Sequence, residues 1–404
     1  MKGLLHDIGA VLGVRRARWV LLALAASVVG DGAARVGLLL RVHEQGGGSP
    51  TLAVLLVLFA LPLVFLAGVA GRLAELSDVR PVVLAAAATQ LLAALALAWH
   101  ENLVWTGGAV LVLQCGFALA NPAWVVALPR LVPEKRVGTL VSLHHGVLAI
   151  AAPAGAAAGG LLMEYAGGWS PFALDALSCI PLILAGLLLT GEGGEQPGGA
   201  AGRGVLRTLL PLDGVAALRA QPVLATLTFA VLPFVVVLES VNAVEVFLVR
   251  DVLGGSAAAF GLSEGVAGAA AVVGALWAGA ARVLHARVTG ILVALGGVAA
   301  AQLAQGLAPT MAVYVTLAAS VGLLMGRLNA LIMTLMVTAT DPATRGRVVA
   351  FVGGAARSCT VLAMALGGVL GTFLGPRASF IVVGVVGLGI CGWATRAVRL
   401  ELAR

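Results

Sequence analysis

The sequence predicts an all-α integral membrane protein of twelve transmembrane helices, arranged as two pseudo-symmetric six-helix bundles. Three observations carry that reading. They are an apolar composition no water-facing surface could hold, twelve apolar stretches of spanning length, and an internal repeat of about 208 residues.

Composition comes first. Hydrophobic residues fill 60% of the 404 positions and charged residues only 11%, with mean hydropathy +1.06. A soluble domain carries about 25% charged residues, so the solvent here must be lipid. Gly is abundant, at 54 residues, and small residues let helix backbones approach closely within a bilayer. The net charge of +7 does not mark a nucleic-acid binder. Its basic residues sit singly at helix ends rather than in a run, which orients a chain in the membrane. Cys115, Cys179, Cys359 and Cys391 are widely spaced in apolar runs. They fit neither a zinc site nor a disulfide framework. No cofactor or metal is expected, and the N-terminus shows no cleavable-signal pattern.

Crossing the hydrocarbon core takes about 20 apolar residues. Spans are predicted at 18–41, 52–72, 82–99, 103–127, 139–163, 169–190, 222–249, 257–281, 287–306, 309–336, 348–373 and 376–396. The expected domains are an N-terminal bundle (1–190), a cytoplasmic linker (191–221) and a C-terminal bundle (222–404). The linker contains GEGGEQPGGAAGRG, then VLRTLLPLDGVAALRAQP, which suits a short helix on the membrane surface. Basic residues cluster before the first span (Arg15, Arg16, Arg18) and around every even-numbered loop, as at Arg72 and Arg80, Lys135 and Arg136, Arg282 and Arg287, and Arg345 and Arg347. The alternate loops hold few, chiefly Arg41, Arg250 and Arg377. Both termini are therefore expected in the cytoplasm, with the chain in the cell's inner membrane.

The repeat follows from a constant offset. Gly159-Gly160-Leu161-Leu162 falls on Gly367-Gly368-Val369-Leu370, Gly71 on Gly279, Gly48-Ser49 on Gly255-Ser256 (one residue off), and Asp31 on Glu239. Two parallel six-helix repeats are the architecture of the major facilitator fold, whose substrate site lies near the bilayer midplane.

Particular residues strengthen that likeness. The runs NPAWVVALPRLVPEKRVGTLVSL (121–143), Gly155 to Leu162 and PFALDALS (171–178), with Gly30-Asp31, Asp341-Pro342, Arg345 and Arg347, resemble the major facilitator efflux subgroup of macrolide, siderophore and multidrug exporters. The resemblance spans essentially the whole chain. It implies that the loop after the second span latches neighbouring helices. Gly71, Glu75 in place of the usual Asp, and Arg80 stand at that motif, with Asp78 where a Gly is expected. Glu75 is expected to pair with a basic group near Arg130 or Arg136. In the fifth span Gly155, Gly159 and Gly160 match the antiporter motif, while Ala156 replaces its Pro and Pro153 lies a turn earlier. Small residues four apart are expected to pack tightly between the halves.

Ionisable residues within spans point to function, since each costs at least about 2.5–3.5 kcal/mol at the bilayer centre. Asp31 and Arg35 lie four apart in the first span, positioned to pair. Glu239 and Glu245 lie in the seventh, Glu264 in the eighth, Arg327 and Asn329 in the tenth, Arg357 in the eleventh. Asp31 and Glu239 are expected to form the proton-coupling or cation-recognition pair, with the others along the route. Asp175 in the sixth span reads as structural.

The expected function is secondary active transport: proton-coupled efflux of a lipophilic small molecule, such as a drug, antibiotic or siderophore, by alternating access. An uptake symporter of the same fold is the alternative. A membrane-embedded lipid-modifying enzyme would need clustered acids or a nucleophile with its base, and the sequence carries neither. The expected partners are the substrate, protons and lipid, with no nucleic acid, and the expected state is a monomer.

Overall fold

The computed structural model describes residues 2–74, 78–189, 215, 218 and 221–402. The predicted linker and its surface helix fall almost wholly outside the described residues. What is described is all helix and connecting turns. The helices are α1 (Lys2–Leu12), α2 (Arg15–Glu44), α3 (Ser49–Phe65), α4 (Ala67–Ala74), α5 (Arg80–Trp99), α6 (Leu103–Ala127), α7 (Glu134–Ala166) and α8 (Ser170–Leu187). Beyond the linker come α9 (Pro222–Glu239), α10 (Ala257–Ala278), α11 (Leu284–Gly306), α12 (Met311–Ala339) and α13 (Pro342–Leu402).

Among the described residues ten helices are long and apolar enough to cross a bilayer, and α3 with α4, bent by 46°, makes an eleventh. Pro62 lies within α3, a turn before that bend, where a proline disturbs the helical ladder. α13 runs for 61 residues, about 90 Å if straight, far more than the roughly 30 Å core needs. It breaks at Gly375 (φ 75°, ψ 174°), followed by Pro376, and so supplies two spans. That brings the count to the twelve expected.

Surface and interior are inverted relative to a water-soluble protein. Leu22, Val54, Leu92, Leu184 and Leu276 are exposed, while Gln90, Gln114, Asp175 and Gln302 are buried. Six of the seven tryptophans (Trp19, Trp99, Trp105, Trp169, Trp277, Trp393) are exposed, and all of these but Trp393 sit within about a turn of a helix end. This is the aromatic belt of a membrane protein.

The chain divides into two compact units: Met1–Arg41 with Leu58–Gly202, and Val42–Val57 with Arg203–Arg404. In the first unit α5 packs on α6 and α8, and α7 on α8. One of its cores gathers Ala34, Leu38, Leu97, Val110, Leu113 and Phe172. In the second unit α10 packs on α12, α9 on α13, and α11 on both α12 and α13. Its core gathers Phe234, Leu238, Ile291, Leu295, Leu328 and Leu335.

The repeat is visible in backbone geometry. The glycines with positive φ are Gly46, Gly167, Gly254 and Gly375. Gly254 repeats Gly46 and Gly375 repeats Gly167 at the offset seen in the sequence. Helix caps follow the same rule: the Asn102 side chain accepts from Val104 N at the start of α6, and Thr310, its equivalent, accepts from Val313 N at the start of α12.

One boundary departs from expectation. The first hairpin was expected to lie wholly in the N-terminal bundle, yet residues 42–57 group with the second unit. Glycines in α13 make room for them. A Cβ on Gly371 would stand 2.2 Å from Ser49 Oγ, and one on Gly368 would stand 2.7 Å from the Ala53 Cβ. His43 completes the contact, its Nε2 2.6 Å from Asp251 Oδ1 and its ring tilted against Phe247.

Candidate transport site

Asp31 occupies the middle of the 30-residue α2. The helix reaches its neighbours there through glycine. A Cβ on Gly30 would lie 2.2 Å from Ser178 Oγ and 2.9 Å from the Asp175 Cα, and one on Gly32 would lie 2.9 Å from the Ala152 carbonyl oxygen. α2 is thereby pressed against α8 and α7, and Asp31 is half-buried at this seam. The expected Asp31–Arg35 pair is not among the ion pairs of the described residues, and Arg35 is exposed. Four residues advance a helix about 40° past a full turn, enough to carry Arg35 off the packed face that Asp31 borders.

Glu239 is the last residue of α9, and the span was expected to continue unbroken to 249. Instead a 3₁₀ turn covers Ser240–Ala243, and a π turn covers Leu248–Val252. No Gly or Pro marks this break in the local sequence. Its support comes from α13, where Gly367 approaches so closely that a Cβ would stand 2.1 Å from the Ser240 carbonyl oxygen. Mid-span helix breaks are tolerated where they are buried in protein or line a cavity, and they recur at functional sites. The Glu239 Oε2 atom is buried without a hydrogen-bond partner.

The remaining acids and bases of the second unit separate into distinct settings. Tyr314, fully buried on α12, donates a hydrogen bond to Glu245. Glu264 on α10 is half-buried within electrostatic reach of Tyr314. Arg327, central in α12, lays its guanidinium over the Trp277 ring at 3.7 Å, and its Nε is buried without a partner. That contact engages α10 and offsets part of the cost of a cation in the bilayer. Asn329 and Arg357 are exposed.

The motif residues divide likewise. Glu75, with its expected pairing, lies outside the described residues. Gly71 is half-buried with open space where a side chain would go. The Arg80 amide donates to Asp78 Oδ1, starting α5. Arg345 reaches toward the Thr340 carbonyl and has a buried, unpartnered Nε, whereas Arg347 is exposed. Pro153 lies inside α7, half-buried. Gly155 and Gly159 pack tightly against α2 of their own unit. Cβ atoms there would stand 2.3 Å from the Val29 and 2.6 Å from the Ala33 carbonyl oxygens. Gly32, on the same seam, lets α2 approach α7 from the other side. Gly160 is buried beside them.

Arg41 has a role that its place at a loop edge does not announce. It is 2% exposed. Nη1 donates to the Leu97 and His100 carbonyls at 2.7 and 3.2 Å, and Nη2 donates to the Gly168 carbonyl at 3.0 Å. Its guanidinium also stacks on Phe172. A cation at the C-terminal end of α5 meets the negative end of the helix dipole, and these bonds satisfy carbonyls that the helix leaves open.

An inside-out helical chain with two repeats defines an integral membrane protein of the major facilitator fold. Solved structures agree on the fold. A bacterial homologue of the human lysosomal transporter Spinster superposes with TM-score 0.71 at 13% identity, covering 96% of this chain and 98% of that one. The nucleoside transporter NupG gives 0.74 at 13% identity, covering 95% and 99%. A bacterial homologue of the iron transporter ferroportin gives 0.74 at 14% identity, covering 96% and 99%. No curated protein sequence matches the chain. Residues 15–371 match the transmembrane secretion effector family, and the chain belongs to that family. The family and the structural neighbours are transporters, not enzymes.

Proposed function

We propose that this protein is a proton-coupled exporter of a lipophilic small molecule, such as a drug, antibiotic or siderophore, working by alternating access in the cytoplasmic membrane with both termini inside the cell. The observation that carries the reading is a pair of equivalent carboxyl groups, Asp31 in the first span and Glu239 in the seventh. No ion pair reaches either among the described residues, and Glu239 Oε2 has no hydrogen-bond partner. Burying a charge without a partner is costly, so a carboxyl group in such a setting ties its change of charge to the arrival of water, substrate or a new conformation. Loading from one side of the membrane and release to the other is what coupling to a proton gradient requires. A gradient of 100 mV supplies about 2.3 kcal/mol per proton, roughly fiftyfold accumulation. The break in the seventh span beside Glu239 supplies a place for that change of conformation.

The test uses the full chain reconstituted into liposomes with an imposed pH gradient and a panel of cationic dyes, antibiotics and siderophores. Dye movement against its own gradient should depend on the pH gradient and be lost in Asp31→Asn or Glu239→Gln. Full coupled transport by both variants would end this reading, and accumulation in the opposite direction would make the protein an importer.

A further inference from the structure

Asp175 was expected to be a packing residue of the sixth span, and its surroundings argue otherwise. It is 2% exposed, and its Oδ2 atom is buried with no hydrogen-bond partner. Ser178, one turn on, offers it nothing, because the Ser178 hydroxyl donates to the Asp175 carbonyl oxygen at 2.7 Å. α2 reaches it at Gly30, whose missing side chain lets the two backbones almost touch at Asp175. The next residue is Asp31, and the two carboxyl groups lie within electrostatic reach of each other. Cys179 completes the set on α8.

Among the described residues of this unit, no neighbouring helix brings a compensating charge. α5, packed against α8, carries no ionisable residue between Arg80 and His100, and α6 carries only Cys115. α7 has none between His145 and Glu164. On α2 itself Arg35 is exposed, and Arg41 is bonded to carbonyls at the far end of the helix. Two carboxylates in a low-dielectric setting cannot both be ionised at such proximity without a cation, so the pair must hold at least one proton.

We propose that Asp31 and Asp175 form a carboxylate pair that shares one proton, and that Asp175 is a proton-holding residue of this transporter and not a packing residue. The role of that proton in transport rests on the coupling reading above. One carboxylate retains the proton and the other accepts a hydrogen bond from it, which gives the orphaned Asp175 oxygen a partner. Departure of the proton leaves adjacent negative charges, a state favourable only when a cationic substrate enters. Asp31 thus gains a local partner in its own unit, while Glu239 serves the other repeat.

Infrared difference spectra of the reconstituted full chain, taken across a pH series, read the protonated-carboxyl band directly and need no transport. The wild-type band should be reduced in both Asp31→Asn and Asp175→Asn. In each single variant the surviving acid should titrate at least about one pH unit away from its wild-type midpoint, because the like charge has gone. A titration of Asp31 unmoved by Asp175→Asn would overturn the pair. Should Asp175→Asn fail to fold, the reciprocal measurement on Asp175 in Asp31→Asn decides in the same way. Proton release on adding a cationic dye, measured separately, tests the coupling reading. A titrating pair with no dye-driven release would refute coupling while leaving the pair standing.

Discussion

Replacing Gly326 with valine should loosen the second unit, and the structure sets the size of the effect. α10 and α12 meet along a glycine seam. Cβ atoms at Gly322, Gly326 and Gly274 would stand 2.0, 1.9 and 1.8 Å from the carbonyl oxygens of Ala267, Ala271 and Leu323. An ordinary carbon–oxygen contact is about 3.3 Å or more, so valine at Gly326 must drive the helices apart by more than about 1 Å. Nothing flexible lies in the way, since the obstructing atom is backbone. Overpacking of this kind costs about 1–3 kcal/mol, and the two methyl groups of valine place it at the upper end. At about 2–4 °C per kcal/mol for a unit of this size, the melting midpoint should fall by about 5–10 °C. The assay is thermal unfolding of detergent-solubilised protein followed by tryptophan fluorescence. Gly353→Val is the control, because Gly353 has nothing within contact distance of a Cβ. Equal melting curves for the two variants would refute the claim that backbone proximity at the seam stabilises this unit.

Two further outcomes are expected. Arg41→Ala leaves the Leu97, His100 and Gly168 carbonyls without their cationic donor, and charged hydrogen bonds contribute about 1.5–3 kcal/mol each. The variant should lose about 3–5 kcal/mol and fold in reduced yield, with Arg41→Lys restoring only part because it lacks the planar fork; a wild-type melt for the alanine variant would sink this. Tyr314→Phe removes the buried donor to Glu245 and should lower stability by about 1–2 kcal/mol, read by the same melt, whereas an unchanged midpoint would show that the contact contributes nothing net.

Much of this architecture was legible because bilayer physics acts residue by residue. Helix ends at Trp99, Ala127 and Gly306 fall where hydropathy stops, and twelve spans follow from length alone. Mid-span acids were legible for the same reason, since any charge in apolar sequence is conspicuous. What local pattern could not reveal was anything set by distant neighbours. The break after Glu239 has no Gly or Pro of its own and depends on Gly367 of α13. Arg41 looked like an interfacial charge because its acceptors belong to α5 and the turn before α8. Asp31 and Arg35 had the spacing of a pair, but spacing says nothing about which strip of the helix faces protein. Asp175 sat in a motif shared with packing residues, and only the approach of Gly30 gives its burial a chemical meaning.

The grouping of residues 42–57 with the second unit bears on how the molecule is made. This hairpin leaves the ribosome well before its glycine-lined seat in α13. The second unit is therefore closed by a piece that waits for that unit's own long helix α13 to be made. Cutting the polypeptide in its central linker would not yield two self-sufficient halves, because the N-terminal fragment would carry away part of its partner's structure.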